Sequence, residues 1–348
     1  MAGEQNLSLV EFRGIPVERR YRNSVDSYLV SHLNYLDPQV GQMAKHHFGF
    51  ETEDGSTSIH SAGKQLRPTS LLLTIDAMGG AWDAAVPAAG AIELFHNATL
   101  AHDDVEDGDE SRHGKPTIGK IWGEARAINS GDIFFAESTG LLFRLPRDIY
   151  NTETILKAAQ MFSDQTKKVF QGQEFDIRFE KEAYITRDQY EEMISLKTGA
   201  LFSLSFGMGA LLAGRDEQTI GQMSEFGLNL GRGFQLADDL SELVDPKTIP
   251  SDILKRKKTL PVVLAQERED VEGYSRFMQH ISPNDIPPTG VESREILDFL
   301  QKAGTIVEAK KLLEALNQEL ITEVEEKLPI EKWAAEDFSK MVSLTLKV

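Results

Sequence analysis

The chain has 348 residues, 41% of them hydrophobic, and no cysteine. That length and apolar content suffice for a large buried core, while the missing cysteines exclude disulfides, thiolate metal sites and thiol nucleophiles. With 37 basic against 55 acidic residues the formal net charge is −18, which disfavours nucleic acid and anionic lipid surfaces, so an anionic ligand must meet a metal ion or a local cluster of Lys and Arg.

The amino-terminal stretch MAGEQNLSLVEFRGIPVERRYRN lacks the basic-then-apolar order of a secretory signal. Apolar runs such as LFSLSFGMGALLAG, from Leu201, are read as too short to span a bilayer. The expectation is a cytoplasmic protein with no membrane span and no nucleic-acid partner. Helical spacing recurs along the chain and strand-like alternation is scarce, so the predicted fold class is all-α. Gly, Pro, Asp and Ser cluster at 49–58, 78–83, 107–117, 144–148, 243–252 and 282–290, which marks breaks between helices. None is long enough to be a linker, so 1–348 is read as one large helical domain.

The first chemically suggestive segment is SAGKQLRPTS, with Lys64 and Arg67 three apart and Pro68 in the first turn of an apolar helix. Next comes ELFHNATLAHDDVED. Read as a helix, it places His96, Thr99, Asp103 and Asp107 on one face, with Asp104 beside them. Like-charged carboxylates four apart repel, so such a face implies a cation. A turn then brings Arg112, His113 and Lys115, and SLKTGALF contributes Lys197. In FQLADDLSELVDP the same spacing recurs at Gln235, Asp238, Asp239 and Glu242, followed by Lys255, Arg256, Lys257 and Lys258 in DILKRKKTLP. Oxygen-only carboxylate faces suit a hard cation such as magnesium, and two of them opposed across a helical bundle would hold a small ion cluster around a diphosphate. Near the carboxyl end Ile306, Ala309, Leu312, Leu313, Leu316, Leu320 and Val324 follow a helical period.

Five segments, in this order, resemble the motifs of the trans-isoprenyl diphosphate synthases, the polyprenyl synthetase family. GKQLRP is similar to its GGKRxRP, HNATLAHDDVEDGDESRHGKPT to its first aspartate-rich motif with the trailing RRGKPT, and SGDIFFA to its GD segment. SLKTGALF is similar to its KT motif, and FQLADDLSE with the following KKTLP to its second aspartate-rich motif. The resemblance covers about 60–265, the motif-bearing core, with carboxyl-terminal helices at about 291–348. It implies a single helical bundle of the isoprenoid synthase type with a central active-site cavity, acting as a homodimer. The implied reaction ionises an allylic diphosphate held by three magnesium ions, and the double bond of isopentenyl diphosphate attacks the resulting cation. By resemblance, Asp103, Asp104, Asp107, Asp238, Asp239 and Glu242 hold metal. Arg112, Lys197, Gln235 and Lys257 hold the allylic diphosphate, with Lys247 matching a lysine of the GKxxGSD segment. Lys64, Arg67 and His96 hold isopentenyl diphosphate, and Gln173 and Thr198 match further substrate-side positions.

The chain also departs from that pattern. His113 stands where the family has a second arginine, one that binds isopentenyl diphosphate; a neutral imidazole cannot make a forked contact, so a weaker or altered site is expected. Glu242 ends the second motif as DDxxE, and AGKQLRP lacks one glycine and one arginine. Ahead of Asp103, Ala98 and Thr99 are small where short-chain enzymes of this kind place an aromatic. The next obstacles are Phe95, ~12 Å up the helix, and Phe134 or Phe135, so a product of twenty carbons or more is expected. Three other readings stay open: a class I terpene cyclase on the same scaffold, the regulatory subunit of a heteromeric synthase, and a helical phosphohydrolase using His102 and Asp103, with His60 and His96, as metal ligands.

Overall fold

A computed structural model describes residues 16–50, 60–243, 250–282 and 288–348. In chain order the helices are α1 (Pro16–Leu33), α2 (Pro38–Phe48), α3 (Leu66–Ala77), α4 (Val86–Glu106), α5 (Ile118–Trp122), α6 (Glu124–Leu142), α7 (Thr152–Glu180), α8 (Arg187–Ile194), α9 (Ala200–Leu212) and α10 (Glu217–Ser241). There follow α11 (Ser251–Leu254), α12 (Leu260–Ala265), α13 (Tyr274–Ile281), α14 (Gly290–Lys302), α15 (Thr305–Glu326) and α16 (Lys332–Thr345). Among the described residues the only strands are β1 (Ser111–Arg112) and β2 (Lys115–Pro116). The all-α expectation therefore holds. Contacts divide the chain into two compact units: Met1–Ser163 with Leu204–Ser224 and Pro329–Asp337, and Asp164–Ser203 with Glu225–Leu328 and Phe338–Val348.

In the first unit α4 is the central element. It is apolar on every side over most of its length, as suits a helix with neighbours all round. Gly90 lets α1 and α6 press close, since a Cβ there would lie 3.1 Å from a ring carbon of Tyr28 and 3.3 Å from Leu141. Where a loop was expected after Asp107 the chain forms a two-residue hairpin, pairing Ser111 with Pro116 and Arg112 with Lys115. Its turn residues, His113 and Gly114, have φ of 52° and 76°, as a type I′ turn requires. Histidine tolerates this region better than most residues with a Cβ.

In the second unit three backbones approach at two glycines. A Cβ on Gly172 of α7 would collide with the backbone nitrogen of Lys197, and one on Gly231 of α10 would lie 2.7 Å from Cα of Gly199. Lys197 and Gly199 belong to a π-helical turn, Ser195–Gly199, inserted between α8 and α9. Such turns are rare and frequently mark functional sites. With α8 and α9 they make one helical stretch, Arg187–Leu212, of 26 residues. This corrects the reading that the apolar run is too short to cross a membrane: length and composition alone would allow it. Its most apolar window is 83% buried, however, so its hydropathy is that of a core helix. The carboxyl-terminal period is realised in α15, which buries Ala309, Leu313, Leu320 and Val324. A separate cluster of Ile253, Val262, Phe277, Ile281, Ile296 and Phe299 closes around a stacked Phe277–Phe299 pair, 4.5 Å between centroids.

Candidate active site

The first carboxylate face lies at the end of α4. Asp103 is partly exposed, and Asp107, also partly exposed, is the residue that closes the helix. Asp104 turns inward, 4% exposed, and its Oδ1 accepts from Arg112 Nε at 2.7 Å, tying β1 to the helix end. Asp104 Oδ2 is buried without a protein partner. Burial raises the Asp104 carboxyl above its usual range although the Arg112 guanidinium opposes it.

Upstream on α4, His96 Nε2 lies 3.2 Å from Arg67 Nη1. A guanidinium only donates, so His96 accepts and is neutral. Burial, with the nearby Arg67 and Arg112 charges, depresses the imidazole pKa in keeping with that. Lys64 precedes the start of α3 and is partly exposed, and His113 is exposed at the hairpin tip. His102 bridges to α6 through Ile128 O (3.1 Å) and Asp132 (3.4 Å). His60 lies 3.7 Å from Asp26. The three histidines of the phosphohydrolase reading thus have three separate surroundings. Among the described residues no three histidine, aspartate or glutamate side chains converge as a preassembled metal site.

Above the carboxylates Ala98 is buried, and Thr99 folds its hydroxyl onto His96 O at 2.7 Å. Phe95 is fully buried and meets both Phe135 and Phe162 edge-on, each at 5.7 Å. Phe134 points elsewhere, against Phe48 at 5.7 Å. Phe95, Phe135 and Phe162 thus form one aromatic cluster, in which Phe162 was not singled out from the sequence.

In the second unit the two glycine crossings set the site's register. One turn beyond Gly172 stands Asp176, and one turn beyond Gly231 stands Gln235. Asp176 Oδ2 accepts from Lys197 Nζ at 2.6 Å and Lys257 Nζ at 2.9 Å; Lys257 also reaches Glu180 at 2.6 Å. Burial would raise the Asp176 carboxyl, but the two ammonium groups prevail and hold it below its usual range. Gln173 lies one turn before Asp176 and is partly exposed. Thr198 donates to Gln235 Oε1 at 2.7 Å, and Gln235 Nε2 donates to Asp239 Oδ1 at 3.0 Å.

Asp239 is 4% exposed and receives two more donors on Oδ2, Tyr190 Oη at 2.7 Å and Leu260 N at 3.2 Å. Burial pushes its carboxyl up to about 7 against those hydrogen bonds. Asp238, its neighbour, is exposed. Glu242 accepts from Ser251 Oγ at 3.1 Å and Asp252 N at 3.2 Å. Both oxygens of Asp239 and of Glu242 are thus engaged by protein donors. Lys247 lies outside the described residues.

Two residues not singled out from sequence belong here. Asp176 follows Gln173 at one helical turn, a signal present in QGQEFD. Asp252 is raised well above its usual range, first by burial and then by Glu242, Asp239, Asp238 and Asp176. Such a crowd of carboxylates is the donor chemistry a hard divalent cation neutralises. The residues present therefore fit a hard divalent cation such as magnesium.

An all-helical scaffold with two aspartate-rich helix ends, a π-turn lysine and paired cations defines an isoprenoid synthase. The chain belongs to the polyprenyl synthetase family, whose model matches residues 53–291. It is 37% identical over 250 residues to a geranylgeranyl diphosphate synthase of Sulfolobus acidocaldarius, covering 70% of this chain and 72% of that one. It is 32% identical over 255 residues to a (2E,6E)-farnesyl diphosphate synthase of Mycobacterium tuberculosis, covering 72% and 70%. Among solved structures, a geranylgeranyl pyrophosphate synthetase from Pyrococcus horikoshii superposes with a TM-score of 0.82 at 30% identity, over 95% of this chain and 98% of that one. The protein is accordingly a prenyltransferase.

Proposed function

We propose that the protein condenses an allylic diphosphate with isopentenyl diphosphate to give a linear polyprenyl diphosphate of twenty carbons or more, in a magnesium-dependent reaction in the cytoplasm, as a homodimer. The observation that carries this reading is the pairing of three cations assigned to the allylic diphosphate with carboxylates: Arg112 with Asp104, and Lys197 and Lys257 with Asp176. These pairs hold charged donors oriented in advance, so little reorganisation is needed when a diphosphate arrives.

Asp103, Asp107 and Asp238 are assigned as direct metal ligands. Asp104, Asp239 and Glu242 act as anchors that aim their neighbours, because protein donors already engage them. Bound magnesium supplies Lewis-acid neutralisation of the departing diphosphate. Arg112, Lys197 and Lys257 donate hydrogen bonds to its oxygens as the carbon–oxygen bond breaks. Thr198 and Gln235 keep the π turn in register with α10. Arg67, Lys64 and the neutral His96 receive isopentenyl diphosphate. Water must be kept from the allylic cation until the second substrate's double bond attacks it.

Small side chains at Ala98 and Thr99, with the first aromatic obstacle at Phe95, support the product length. The test is incubation with magnesium, labelled isopentenyl diphosphate and allylic primers of five to fifteen carbons, followed by sizing of the dephosphorylated products. A ladder of labelled prenols reaching twenty carbons or beyond is expected. Primer converted to hydrocarbon or terpene alcohol with the label untouched would replace this reading with a cyclase.

A further inference from the structure

Arg22 and Asp26 of α1 are both almost fully buried, at 4% and 0% exposure, and neither has a role in the chemistry above. They lie one turn apart, with Arg22 Nε 3.9 Å from Asp26 Oδ2. Among the described residues their other hydrogen-bond and ion-pair partners lie in one short segment, the loop from His60 to Gln65 that leads into α3. Arg22 Nη2 donates to Ser61 O at 3.0 Å and Gly63 O at 2.6 Å, and Nη1 to Lys64 O at 3.4 Å. Asp26 accepts from Gln65 Nε2 at 2.6 Å and, more weakly, from Ser61 N at 3.4 Å, with His60 at 3.7 Å.

The loop needs such support because its backbone is strained where it enters the helix. Gln65 has φ of 52°, a region in which residues with a Cβ are disfavoured unless their surroundings impose it. It makes no side-chain cap to α3; its amide goes instead to Asp26 and Ser61 Oγ. The other side of the loop rests on the end of α2. Ala62 N donates to Phe48 O at 3.0 Å, and a Cβ on Gly49 would come within 2.6 Å of Ala62 Cβ. The two departures in AGKQLRP thus have local counterparts: Gly49 makes room for Ala62, and Asp26 holds Gln65.

We infer that Arg22, Asp26 and Gln65 are positioning residues that set the binding geometry of Lys64 and Arg67 for the diphosphate of isopentenyl diphosphate. This rests on the function proposed above. The clamp fixes the carbonyls of Ser61, Gly63 and Lys64, and with them the direction in which Lys64 leaves the loop and α3 presents Arg67. Misplacing a charged pair by about 1 Å can cost two orders of magnitude in a positioned reaction. Its effect falls on one substrate, since Lys64 and Arg67 are assigned to only one.

The test compares wild type with Gln65→Ala and with the double variant Arg22→Met/Asp26→Leu, which removes a buried pair together and leaves no lone charge behind. Steady-state kinetics are measured with each substrate varied in turn. The expected result in both variants is a rise of roughly tenfold or more in the apparent KM for isopentenyl diphosphate, with the KM for the allylic diphosphate and the kcat within about twofold of wild type. A proportional change in both KM values and kcat, or no change in any of them, overturns the clamp and leaves the function intact. Wild-type protein that incorporates no labelled isopentenyl diphosphate overturns the function, and the clamp with it. Gln65→Ala keeps the test decisive should the double variant fail to fold.

Discussion

Tyr190 donates its hydroxyl to Asp239 Oδ2 at 2.7 Å with both side chains buried, so the second aspartate of DDxxE is held by the protein while Asp238 is left at the surface. The paired aspartates therefore have different surroundings, which their adjacency in sequence hides. Asp103→Ala and Asp238→Ala are each expected to lower turnover by roughly 10³-fold or more, because each removes a carboxylate assigned to hold the magnesium that would neutralise the departing diphosphate. Tyr190→Phe is expected to cost no more than about tenfold, since Gln235 and Leu260 N remain on Asp239. Single-turnover rates at saturating magnesium separate these outcomes.

Asp176 bridges two lysines within a buried setting. Asp176→Asn puts a neutral acceptor in place of the carboxylate shared by Lys197 and Lys257, while Lys257 keeps Glu180; breaking such a buried pair costs up to about 3–5 kcal/mol of stability. Turnover should fall roughly 10²-fold as the leaving-group donors lose alignment. Chemical denaturation and kcat measured on the same preparation check both parts.

Glu93 predicts a pH dependence. It is 4% exposed, bonded to Asn97 Nδ2 at 3.0 Å, and its Oε2 has no protein partner. Burial pushes its carboxyl up to about 7 from an ordinary 4.5, against the pull of Arg67 and Arg22 and aided by Asp26. Between these values the folded protein binds more protons than the unfolded chain, so this group costs stability as pH rises from 4.5 to about 7 and a constant amount above. Glu93→Gln removes the cost. The thermal midpoint of the variant minus that of wild type should therefore increase from pH 5 to pH 8. A constant or falling difference would show that Glu93 stays charged throughout.

Gly231 and Gly172 hold the lysine-bearing π turn against two helices. Adding one methyl at either crossing is overpacking between backbones, expected to cost about 1–3 kcal/mol. Gly231→Ala should also raise the apparent KM for the allylic diphosphate, because it displaces Gln235 and Thr198 together. Gly214→Ala is an unsuitable control, since its φ of 72° is itself strained by a side chain. Gly140→Ala meets nothing within 4 Å and should leave both quantities near wild type.

Product length should answer to α4. Thr99→Phe places a ring one turn before Asp103 and is expected to shorten the product to fifteen carbons or fewer. Phe95→Ala opens the aromatic block it shares with Phe135 and Phe162, at a cost of about 3–5 kcal/mol in stability, and should lengthen the product. Chromatography of the dephosphorylated prenols reads both changes.

The helical class, the two aspartate-rich faces and the cations around them were legible in the sequence, because each depends on spacing within one helix or one turn. The period of 3.6 residues places His96, Thr99, Asp103 and Asp107 on one face whatever surrounds them. Side-chain direction across elements was not legible. Phe134 and Phe135 are adjacent, and only packing shows that one meets Phe48 while the other meets Phe95. The hairpin at Ser111–Pro116 was hidden because a two-residue ladder has no alternating pattern to detect.

Composition and local spacing alone determined the chemistry on offer: a cysteine-free, acidic chain with clustered carboxylates of the kind that suit a hard cation and a few concentrated basic side chains. Tertiary structure alone decided which of those groups are committed to one another. Asp104 is taken by Arg112, Asp239 by three donors and Asp176 by two lysines from distant segments. A buried carboxylate must find partners to offset its lost hydration. Those partners come from wherever helix packing brings them, which residue spacing along the chain does not encode.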